Sequence, residues 1–160
     1  MHPDSAARFD LRDLGYAEHL IIWTFRAVAV GRWRCPMIER EYRCACGPAG
    51  DDARNAVGLF AHVVQARGRR PVTLARPGML SLTRDEQLLL AIYAAAQARD
   101  PDRCRAHLAW LLAAPASETL YSLALVTAEA MRAHGHELRE VTVGGGSSRA
   151  DVRSAPLKTA

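Results

Sequence analysis

The stretch that most restricts the fold runs from Thr83 to about Arg99. Thr83 is followed three residues later by Glu86, the capping-box spacing in which each side chain satisfies the other residue's backbone N–H. Behind it, Leu88–Ala96 is apolar nearly all the way round a helical turn. Such a helix offers no face to water, so it belongs at the centre of a helical array or in a contact between two copies. The remaining chain must supply the elements that cover it.

Five further helices follow from caps and stops. The first is expected over about 14–32, with Ala17, Leu20, Ile21, Trp23, Ala27, Val28 and Val30 on its apolar stripe. The second starts at Pro36, whose missing N–H needs no partner in a first turn, and must stop at Gly47-Pro48. The third follows Asp51-Asp52, ends at Gly68, and buries Val57, Phe60, Ala61 and Val64. The fifth opens with Asp100 as cap and Pro101 inside, burying Leu108, Leu111 and Leu112; the sixth runs from Ser117 to Gly135. Residues 69–82 hold Pro71, Pro77 and Gly78 and read as a connector. The fold class is therefore all-α, about six helices packed as an antiparallel orthogonal or bundle array. Its expected organisation is a flexible arm over 1–13, one helical domain over 14–137, and a disordered tail over 138–160 around Gly144-Gly145-Gly146-Ser147-Ser148.

With 160 residues and 49% apolar side chains, one domain can bury a core without staples. Lys158 is the only lysine among 21 basic residues, a bias that fits a GC-rich bacterial genome. The net charge of +4 is well below that of a dedicated nucleic-acid binder. No basic, then apolar, leader follows Met1, and the apolar runs at 20–25, 88–96 and 106–116 are too short, or broken by Pro115, to cross a bilayer. A cytoplasmic protein with reduced thiols and no membrane partner is the expectation.

The four cysteines supply the sharpest candidate chemistry. Cys104 and His107 are three apart and share a helix face, while Cys44 and Cys46 are two apart and diverge on a regular helix. If the second helix unwinds before Gly47-Pro48, Cys44, Cys46, Cys104 and His107 make a tetrahedral set for zinc, with an iron–sulfur centre as the other metal option. Core packing is the competing expectation for all four side chains. Cys35 stands apart at a helix N-terminus, after Arg32-Trp33-Arg34. Both surroundings favour a thiolate, which makes it the candidate redox thiol.

Arg67, Arg69, Arg70 and Arg76 form the densest basic segment and the candidate contact for nucleic acid or another anion. Helix capping accounts for Asp51-Asp52 and Asp85-Glu86, and neither His19 nor His62 has a companion nucleophile, so no catalysis is expected. The leading functional expectation is a regulatory or adaptor protein that binds a protein partner or itself, as a homodimer, through Leu88–Ala96. A thiol-based metal or redox sensor, with a role in transcription, is the alternative. Nucleic-acid binding through the arginine segment is the third.

Overall fold

The computed structural model describes residues 9–112 and 117–140. Among them are six α-helices: α1 (Tyr16–Ala29), α2 (Pro36–Cys46), α3 (Gly50–Arg67), α4 (Arg84–Gln97), α5 (Pro101–Leu108) and α6 (Ser117–Arg132). Short 3-10 turns cover Leu11–Asp13 and Gly47–Ala49, and the described residues contain two isolated β-bridges but no strand. The chain is all-α, as its sequence requires.

The helix boundaries have local causes. Thr83 and Glu86 form the expected reciprocal cap, with Glu86 N donating to Thr83 Oγ1 at 3.0 Å and Thr83 N to Glu86 Oε2 at 2.9 Å. α1 stops earlier than 32 because Gly31 takes a left-handed φ of 72° and Arg32 N turns back to Ala27 O. Between α2 and α3 the chain reverses through Gly47, whose φ is 57°. A Cβ at Gly50 would stand 2.6 Å from the Tyr42 carbonyl oxygen, so only glycine lets α3 begin that close to α2.

α4 is the centre of the molecule. Every residue from Leu88 to Gln97 is buried within the single chain, by α1, α5 and α6. Self-association through Leu88–Ala96 therefore has no surface to use: the neighbouring helices already occupy it. α3 packs against α6, α2 and α1, and the Phe25, Phe60 and Tyr93 rings meet with centroids 5.3–6.1 Å apart. Buried polar groups are tied across this core. Thr127 Oγ1 donates to Ala53 O at 2.9 Å, and Thr24 Oγ1 pairs with the Tyr42 hydroxyl at 2.9 Å.

Two expected domain boundaries shift. Residues 9–13 are bonded to the domain and do not form a free arm. Leu11 N donates to Leu80 O, Leu82 N to Phe9 O, and Asp10 and Asp13 cap the first turn. At the other end Leu138 is buried, its N–H donating to Gln97 Oε1 at 2.7 Å, while Arg139 N donates to Glu18 Oε1 at 2.7 Å. The remaining arm (1–8) and tail (141–160) lie outside the described residues. No helix among the described residues is long and apolar enough to cross a membrane.

Candidate functional site

The connector from Gly68 to Thr83 is irregular, so its backbone polar groups need partners that no helix provides. Two ion pairs provide them. Arg26, on α1, donates to Glu86 Oε1 (2.6 Å) and Oε2 (3.0 Å), and also to the carbonyls of Met79 (2.6 Å) and Ser81 (3.1 Å). Glu86 in turn accepts from Ala75 N at 3.1 Å as well as from Thr83 N. Both side chains are at most 3% exposed, a depth at which an ion pair is sustained only when its remaining donors and acceptors are also used.

Nearer the surface, Arg70 grips Asp85 with two bonds of 2.7 Å, and Thr73 N donates to the same carboxylate at 2.7 Å. The Arg70 guanidinium and the Thr73 N–H together hold the Asp85 carboxyl below its ordinary range. Asp85 and Glu86 thus fasten the connector, a role beyond helix capping. The only sequence sign of this role for Arg26 is an arginine set between Phe25 and Ala27 inside the apolar stripe of α1.

Beneath this fastened connector lies a cavity of about 430 Å³. Phe25, Val28, Ala61, Val64, Val72, Leu74 and Leu89 give it an apolar interior, and Gln65, Arg69 and Arg70 stand among its polar lining residues. A volume of this order is within the range of small-molecule sites.

Arg69 joins the cavity to a second feature. Its N–H donates to Leu111 O at 2.9 Å and its Nη1 to Ala109 O at 3.3 Å, while Gly68 bridges to Leu112. Between those two carbonyls sits Trp110, 69% exposed, the most exposed large apolar residue described. The turn presenting it is closed by Ala109 N to Arg105 O, Trp110 N to His107 O and Leu111 N to Leu108 O. A large indole is therefore held in water on a fixed backbone.

The thiols are not gathered. α2 stays helical to its last residue, leaving Cys44 exposed and Cys46 buried, the divergence that two-residue spacing imposes. Burial pushes the Cys46 thiol up to about 11 and the Cys104 thiol up to about 12, and Cys104 Sγ donates to Ile92 O at 3.9 Å. Among the described residues no three His, Cys, Asp or Glu side chains form a group that could hold a metal ion. The Cys44, Cys46, Cys104 and His107 set thus lacks the unwound helix end on which it depended. Cys35 is half-buried at the N-cap of α2, as its sequence position indicated.

Of the four arginines in the basic segment, Arg70 is committed to Asp85, while Arg67, Arg69 and Arg76 are exposed. The Trp33 cluster is closed on itself. Arg34 and Arg54 lie 5.1 and 5.7 Å from the indole centroid, and the ring packs over Gly58, where a Cβ would come within 3.1 Å. No protein-family model, curated protein or solved structure matches the chain.

Proposed function

We propose that this protein is a non-catalytic regulatory or adaptor module that binds a protein partner at the Trp110 turn. The observation that carries the reading is the exposure of Trp110 on a backbone whose hydrogen bonds are already made. Tryptophan and arginine are the residues that most often anchor interfaces, and an anchor held rigidly in advance loses little entropy on binding. Arg69 lies beside it, and Arg105 begins the turn. Since α4 is covered, self-association would also have to use a surface of this kind.

The test is photo-crosslinking in the producing cell with Trp110→p-benzoylphenylalanine. A discrete adduct is expected, absent when the same group replaces the exposed Ser122 on α6. An adduct of twice the chain's mass would identify the partner as a second copy. Identical adduct patterns from both positions would defeat the reading. Trp110→Ala should leave the melting temperature within about 1–2 °C, because an exposed side chain contributes about 0.5 kcal/mol or less.

A second reading, a redox-sensing thiol, rests on Cys35 at its helix N-terminus beside Arg34. It requires Cys35 to react with an alkylating probe faster than a free cysteine at neutral pH, and it fails if the rates are equal.

A further inference from the structure

The cavity beneath the connector combines three properties that select a ligand class. Its interior is apolar, formed by Phe25, Val28, Val64, Val72 and Leu89 among others. No carboxylate lines it: the nearby Asp85 and Glu86 are turned to Arg70 and Arg26. Its polar lining includes Arg69, an exposed residue whose Nη1 makes only a long 3.3 Å contact with the neutral Ala109 O. A carboxylate would form shorter, charge-assisted bonds with that fork and displace it.

The C-terminal ends of α1 and α3 also face this region and bring about half a negative charge each. Arg67 and Arg69, both exposed, carry a full positive charge each and outweigh them. Arg70, held at both Nη atoms by Asp85, contributes a fixed wall and little net charge.

From this geometry we infer that the cavity is a binding site for a small aliphatic carboxylate, its hydrocarbon body among Val64, Val72 and Leu89 and its carboxylate on Arg69. This site is separate from the proposed partner surface, although Arg69 adjoins both. The probe is octanoate, compared with 1-octanol and octylammonium, which keep the chain and remove or reverse the charge. Each is titrated into the full chain while amide chemical shifts are followed.

Octanoate is expected to move the amides of Val64, Val72 and Leu89, with at least tenfold tighter binding than 1-octanol. Arg69→Gln should erase most of that ratio, and Arg34→Gln, on the Trp33 cluster, should leave it unchanged. Val72→Trp should weaken octanoate and 1-octanol together by filling the cavity; if that variant does not fold, the Arg69→Gln comparison decides alone. Equal binding of all three probes, preference for octylammonium, or shifts confined to other surfaces would overturn the inference. Octanoate binding that persists in Trp110→Ala would separate this site from the partner surface. Crosslinking at Trp110 without octanoate binding would leave the partner reading standing alone.

Discussion

α4 and the connector that leads into it are consecutive in the chain, yet opposite forces hold them. α4 makes its own backbone hydrogen bonds and is fixed by apolar burial on every side. The connector makes almost no regular bonds and is fixed by charged side chains reaching in from α1 and α4. The difference shows what irregular backbone demands inside a small protein. Its N–H and C=O groups must be met by fork-shaped or two-oxygen side chains, and these must be paired with one another to be buried at all.

Breaking the deeper pair tests this contrast most severely. Arg26→Met leaves Glu86 buried without its countercharge and should cost about 3–5 kcal/mol, read from a urea midpoint. The double variant Arg26→Met/Glu86→Leu should recover part of that loss. A cost below about 1 kcal/mol for the single variant would mean that the connector is held by something else. Ile92→Ala, in the middle of α4, should cost about 2–5 kcal/mol by opening a cavity. Hydrogen exchange would distinguish the two regions. Arg26→Met should unprotect the amides of Ala75 and Thr83 first, whereas Ile92→Ala should lower protection across the helices together.

The outer pair should matter least, about 1 kcal/mol, because Arg70 is roughly half exposed and its charge is screened. Its signature is pH dependence. The Asp85 carboxyl is lowered from 3.8 in the folded chain. Its contribution is complete above that ordinary value and is lost as pH falls through the lowered one. The melting temperature of the parent chain should therefore fall more steeply below pH 4 than that of Asp85→Asn. Parallel curves would remove Asp85 from the connector's support.

Much of this architecture was legible in the sequence because helix signals are local. The Thr83–Glu86 box, Pro36 at a helix start and Gly47 at its stop each act within a few residues, and each lies where its chemistry predicts. The buried face of α3 and the Leu108, Leu111 and Leu112 trio followed from periodicity. The pairings that local signals do not encode are long-range. Arg26 meets Glu86 60 positions away, and Gln97 donates to His136 O and accepts from Leu138 N about 40 positions away. Nothing in the surrounding residues announces such a pairing, except that a polar side chain occupies an apolar stripe. The cavity was illegible for the same reason, since it is bounded by α1, α3, α4 and a connector with no periodicity. The thiol set shows the reverse error. Bringing Cys44 and Cys46 together required the end of α2 to unwind before Gly47-Pro48, but α2 stays helical through Cys46 and keeps them apart, as their spacing alone implies.

The bond from Arg139 N to Glu18 Oε1 closes a loop of 121 positions. On a ribosome that adds about 5–20 residues each second, the amide is made roughly 6–24 s after the carboxylate it will meet. Gln97 likewise waits for Leu138. The last bond at the beginning of α1 is thus available only once the chain beyond α6 has been made, although Gly15 N already caps the same Glu18 carboxylate locally.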